Sequence, residues 1–117
     1  MITILPADKA LCEQLGVPAD REAMVLRDSD GHITGHAVFA VSGDRVELFS
    51  VAAEEPLLVD GLIRSVLNAG DYRGAAFGLC RDAALAPILR RLEFEATEEG
   101  YLVSLAHFFR GDCHCGG

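Results

Sequence analysis

The chain has 117 residues, 50% of them hydrophobic, with 10 Lys plus Arg against 18 Asp plus Glu and a net charge of -8. That length suits a single core and is too short for two, so residues 1–117 are expected to form one domain, with 110–117 as a flexible, cysteine-containing tail. The acidic balance repels phosphate backbones and anionic headgroups. No segment approaches the roughly 20 apolar residues of a membrane span, and the start has no basic region leading into a long apolar run. Nucleic acid and membrane are therefore excluded as partners, and a cytoplasmic protein is expected.

In chain order, Ile2 to Leu5 reads as a short strand. Ala7 to Leu15 reads as a helix, with Leu11 and Leu15 four apart and Gly16 and Pro18 as stops. A three-stranded meander follows over Ala23 to Arg27, Ile33 to Val41 and Arg45 to Val51, punctuated by Asp28-Ser29-Asp30-Gly31 and Ser42-Gly43-Asp44. Pro56 suits a first helical turn. After it, Leu58, Leu62 and Val66 run beside Val59, Ile63 and Leu67 up to Gly70, the two adjacent stripes of a deeply packed helix.

Gly74 to Cys80 is almost wholly apolar, as expected of a strand covered on both faces and parallel to its predecessor. Leu85, Ile88, Leu89 and Leu92 mark a second helix, with Pro87 near its first turn. Phe94 to Thr97 and Tyr101 to Leu105 flank Glu98-Glu99-Gly100 as a closing hairpin, and the remainder has no periodicity. Leu62, Val66, Leu85, Ile88 and Phe94 are expected to be buried.

This order of strands and helices, ending at Leu92-Glu93-Phe94, resembles the core of the GNAT acyltransferase superfamily over roughly residues 22 to 105. The resemblance implies an α/β fold with a mixed, mostly antiparallel sheet flanked by helices. It implies acetyl-CoA or another acyl-CoA as cofactor, lying in a splay between two parallel strands, and a small-molecule or protein amine as acceptor. Its cofactor positions fall on the backbone at Val51 and Ala52 and on Gly61 and Leu62. The superfamily's diphosphate pattern falls on Leu58, Gly61 and Ile63, of which only Gly61 matches. Its proton-donating Tyr corresponds to Leu89, and its usual Gly to Glu93. A base often comes from the strand before the first motif, where Glu47 is the only carboxylate.

Glu54, Glu55 and Asp60 put negative charge where a diphosphate would lie, so CoA binding is expected to be weakened or lost. Two functions follow. One is a GNAT-like N-acetyltransferase with Glu47 as base; the other is a non-catalytic module that uses the cleft or the tail for a ligand, metal or protein.

Among other residues, Cys12 and Cys80 sit far apart in apolar patterns, so reduced thiols are expected. Cys80, at the end of a parallel strand, is where α/β sites gather, though buried Cys more often packs. Cys113, His114 and Cys115 offer soft ligands to zinc, but a four-ligand site needs more, from Cys12, Cys80 or a second tail in a homodimer. His32 and His36 read as exposed sheet residues, and Phe108 and Phe109 as an anchor near the end.

Overall fold

A computed structural model describes residues 1–110. Its strands are β1 (Thr3–Pro6), β2 (Glu22–Arg27), β3 (Ile33–Ser42), β4 (Arg45–Ala53), β5 (Phe77–Cys80), β6 (Glu95–Ala96) and β7 (Tyr101–Ser104). The helices are α1 (Lys9–Gln14), α2 (Leu57–Tyr72), α3 (Ala86–Arg91) and α4 (Leu105–Arg110). The strands form one sheet in the order β1-β2-β3-β4-β5-β7-β6. Only β4 and β5 pair in parallel, with Arg45 opposite Phe77 and Leu48 opposite Cys80; the other neighbours are antiparallel. The α/β class, the mixed sheet and the parallel pair joined through a helix are thus as the sequence implied.

Local chemistry sets the turns. Asp28 Oδ1 accepts from the N–H groups of Asp30 and His32, both at 2.9 Å, and closes the β2–β3 turn. Asp8 caps α1 by accepting from Leu11 N at 2.8 Å. In α2 both apolar stripes are used: Leu62, Ile63, Val66, Leu67 and Gly70 are all buried. They meet Met24, Leu26, Ala37, Phe39, Val46 and Leu48 of the sheet, joined by Leu89 and Leu92 of the α3 region and by Leu105. Among the described residues the opposite face of the sheet is covered by a helix only at one corner, where α1 helps enclose Val17, Ala23 and Val38 beside Cys12, Leu15 and Phe49.

Helix α2 lies very close to the strands beneath it. A Cβ on Gly70 would stand 2.5 Å from Val46 Cγ1, and one on Gly78 would stand 2.5 Å from Leu67 Cδ2. Both glycines are there because no side chain fits.

Four expectations need correction. The segment from Gly74 is a turn before it is a strand: Ala75 N bonds Gly70 O, and Ala76 N and Phe77 N both bond Asp44 O, so β5 starts only at Phe77. In the second helical segment Leu85 and Ile88 are half-buried, and Leu89 is the fully buried position. Phe94 is buried, but it closes α3 by donating to Leu89 O at 3.0 Å, leaving β6 two residues long. Finally, 105–110 is a helix, held to the turn before β5 by Leu105 N donating to Ala76 O at 2.9 Å. Its Leu105, Phe108 and Phe109 have helical spacing, over a run too short to register as periodicity.

Two outcomes test this packing. Gly70→Ala drives a methyl into Val46, and unfolding by denaturant should show a loss of about 1 to 3 kcal/mol, the usual cost of overpacking. Glu22 and Arg73 form a bidentate pair at 2.6 and 2.7 Å that ties β2 to the end of α2. The hydrogen bond from Arg73 holds the Glu22 carboxyl below its ordinary value. A lowered folded pKa gives stability that is fully present above the unfolded value and is lost as pH falls through the folded one. Thermal melts of Glu22→Gln should therefore show a shallower fall in midpoint below about pH 5 than wild type. The pair is partly exposed, so the difference will be modest.

Candidate acyl-transfer cleft between β4 and β5

The ladder between β4 and β5 stops at Leu48 and Cys80, yet β4 continues to Ala53. Its other edge stays on β3, with Val51 opposite Ala37, Ala52 opposite His36 and Ala53 opposite Gly35. From Phe49 onward the β5-facing edge of β4 is therefore outside any ladder. A bulge sits at the point of divergence: Phe39 faces Leu48 and Val38 faces Ser50, so Phe49 is the extra residue. A bulge bends its strand and sharpens its twist, which opens the gap.

Glu47 stands at the root of this splay. Val46 and Leu48 point into the core beneath α2, so alternation puts Glu47 on the opposite face. Its Oε2 lies 3.1 Å from Arg81 Nε, with the Glu47 side chain 22% exposed. Arg81 follows the last residue of β5, so the pair crosses from one arm of the splay to the other. Also on this face, the Arg21 guanidinium carbon lies 3.7 Å from the Phe49 ring centroid. Arg45 pairs with Glu99 at 3.2 Å and with Asp44 at 3.8 Å. Sequence reasoning missed these arginines; the strand register, which sets Glu22 opposite Phe39 and so brings Arg21 level with Ala40, the partner of Glu47 on the other side, was the signal that could have found Arg21.

Of the positions assigned to a cofactor, Val51 and Ala52 lie on the open edge of β4, half-buried and exposed respectively. Gly61 and Leu62 lie one turn inside α2: a Cβ on Gly61 would meet Ile4 Cδ1 at 3.3 Å, and Leu62 is wholly buried. The helix begins nearer the splay, at Leu57. Pro56 has no N–H, Leu58 N bonds Glu55 O and Val59 N bonds Pro56 O. Leu57 is the remaining first-turn donor, where a diphosphate would want several. Glu54 and Glu55 are exposed beside it, and Asp60 pairs with Arg64. The cleft thus has open strand backbone along one side and few free donors for an anion at the helix end.

Leu89, at the position of the superfamily's proton donor, is buried and has no proton to give. A phenol stands elsewhere: Tyr101 is the register partner of Cys80, and its hydroxyl accepts from Arg90 Nη2 at 3.5 Å. Cys80 is fully buried at the root of the splay, and burial pushes its thiol pKa up, helped by the nearby charges of Asp82 and Glu47. A thiol kept protonated packs and does not attack.

The remaining candidates fall away from the cleft. His32 Nδ1 is 3.7 Å from Asp28 Oδ2 in an exposed turn, and their carboxylate and imidazole atoms, with those of Asp30, lie within 4.8 Å of one another. His36 is half-buried on β3, and His107 Nε2 is 3.4 Å from Glu93 Oε1. Cys113, His114 and Cys115 lie outside the described residues, and with them the zinc and tail-dimer expectations. Among the described residues no helix is long and apolar enough to cross a membrane.

No family model and no curated protein matches the chain. Solved structures do. The ribosomal-protein-S18-alanine N-acetyltransferase of Escherichia coli superposes with a TM-score of 0.69 at 15% identity, covering 90% of this chain and 94% of that one. The chain has the GNAT fold. A GNAT-family acetyltransferase from Staphylococcus aureus Mu50 gives a TM-score of 0.69 at 8% identity, covering 90% and 99% of the two chains. One from Elizabethkingia anophelis, solved with acetyl-CoA bound, gives 0.62 at 14% identity, covering 83% and 78%. At such identities the GNAT likeness speaks for architecture alone.

The burial of Cys80 has a direct readout. Alkylation at pH 8, mapped by peptide mass spectrometry, should modify Cys80 only after denaturation and leave it unlabelled in the folded protein.

Proposed function

We propose that this protein is a GNAT-type N-acyltransferase that passes an acyl group from an acyl-CoA to an amine. The observation that carries the reading is a partly buried carboxylate, Glu47, standing where β4 and β5 part. Acyl-CoA, when bound, supplies an acyl carbon activated as a thioester. The open backbone of β4 at Val51 and Ala52 would hold its arm, as an added strand is held at a sheet edge. Glu47 takes the proton of the acceptor ammonium, directly or through one water, so that the nitrogen lone pair is free to attack. The α1 corner reaches only as far as Phe49, and the Glu47 side chain is itself 22% exposed, so an amine can reach it from solvent. Free Cys12 and Cys80 are in keeping with a reducing, cytoplasmic setting.

The weak diphosphate site sets a quantitative expectation. One remaining backbone donor contributes about 0.5 to 1.5 kcal/mol, so calorimetry should find acetyl-CoA no more than about tenfold tighter than acetyl-pantetheine. Glu47→Gln should lower turnover by about 100-fold or more, the scale of general-base help, with acetyl-CoA affinity unchanged. Equal turnover in the two proteins would remove Glu47 from the mechanism. Absence of acetyl-CoA binding would leave the runner-up, a non-catalytic module, which the acidic Glu54 and Glu55 beside α2 favour.

A further inference from the structure

The charges around Glu47 are not those expected of a site for a simple cation. Three arginines reach the same sheet face. Arg45 is answered by Asp44 and Glu99, and Arg81 by Glu47. Arg21 is met by an aromatic ring. The three arginines are matched in number by Asp44, Glu99 and Glu47, yet Arg21 has an aromatic ring and no carboxylate against it among the described residues. An acceptor bearing only an ammonium would take Glu47 from Arg81 and leave both Arg81 and Arg21 without a carboxylate. An acceptor bearing an ammonium and a carboxylate satisfies every group.

The geometry suits such a ligand. Arg21 is stacked by the flat of its guanidinium, 3.7 Å from the Phe49 centroid, which leaves the in-plane N–H edge to bind a carboxylate in two-point fashion. Stacking also fixes the side chain in advance, so little rotamer freedom is lost on binding. Phe49 and Glu47 share one face of β4, about 7 Å apart along the strand. The anion site and the proton acceptor are therefore neighbours on that face, the arrangement a short zwitterion needs. The Arg81 contact with Glu47 uses Nε, and the two terminal nitrogens of its guanidinium remain as a second set of donors.

We propose that the acceptor is a small amino acid, its carboxylate held by Arg21 over Phe49 with help from Arg81, and its amine presented to Glu47. This rests on the acyl-transfer reading and names the substrate class of that same site. In the step itself the acceptor ammonium gives a proton to Glu47, the freed nitrogen bonds to the acyl carbon, the carbon–sulfur bond breaks, and the thiolate leaves with the electron pair. The nitrogen's second proton is lost to solvent as the neutral amide forms.

The test has a catalytic and a binding arm, both on the full chain. Acetyl transfer from acetyl-CoA is measured for the free L-amino acids, and for each against its carboxamide and its decarboxylated amine. The expected result is kcat/KM at least tenfold higher for the best amino acid than for its carboxamide, with the difference in KM. In Arg21→Gln that ratio should fall to about one, and Arg81→Gln should reduce it. Equal use of amino acid, amide and amine, or a ratio that survives in Arg21→Gln, overturns the proposal.

In the binding arm, the same amino acid at millimolar concentration without acetyl-CoA should shift the amide resonances of residues around Glu47 and Phe49 in wild type and not in Arg21→Gln. Circular dichroism checks that each variant is folded. If Arg21→Gln is not, Arg21→Lys, which keeps the charge and loses the planar fork, takes its place and should lose most of the discrimination. Binding without transfer to any amine would count against the acyl-transfer reading and keep the amino-acid site. Transfer without discrimination would do the reverse, and neither binding nor transfer would remove both.

Discussion

Everything in this structure depends on how closely α2 lies on the sheet. Gly70 rests on Val46 and Leu67 fills the space above Gly78, so the helix is pressed onto both members of the parallel pair at once. Among the described residues β4 and β5 are the one pair of parallel neighbours, and parallel neighbours need a crossover. That crossover fixes where the N-terminus of α2 emerges relative to the splay. A helix held away by two methyl groups would carry its first turn away from the edge of β4. The cleft is therefore a product of packing on the far side of the sheet, some distance from any residue proposed to do chemistry.

The division of the sheet into two unequal faces follows from the same packing. One face takes α2, α3 and α4 and buries the main core. The other receives, among the described residues, only the short α1 at one corner, and over β4 and β5 it is furnished by charged side chains instead of a helix. Charged groups there are only partly removed from water, so they remain able to exchange partners with a ligand. A helix in their place would have made the face a second core.

How much of this could be read from the sequence varied with the length of the signal. The double stripe of α2 spans four turns and was unmistakable, and the meander was legible because Asp28 to Gly31 and Ser42 to Asp44 punctuate it. The hairpin and the last helix were not: β6 is two residues long, and α4 is a single run of six beginning where β7 ends. Gly74 to Ala76 is apolar for a reason other than strand structure, since Ala75 is buried in the turn. In the site, Glu47 was visible as the only carboxylate on its strand. The arginines around it were not, because a cation's partner is decided by sheet register, and register is displaced by a bulge at Phe49 that no residue type announces. The placement of Gly61 illustrates the same limit: a motif letter can match while the helix begins a turn earlier.

The two borders of the sheet are β1 and β6. An outermost strand is a template on which another molecule can build, and long, flat, apolar borders invite runaway association. Here one border is four residues long and ends in Pro6, which has no N–H to offer. The other is two residues long and carries Glu95. Neither gives an incoming strand enough rungs to hold on to. At its two borders, a protein with half its residues hydrophobic thus offers its own copies, among the described residues, only lengths of backbone too short to propagate a shared sheet.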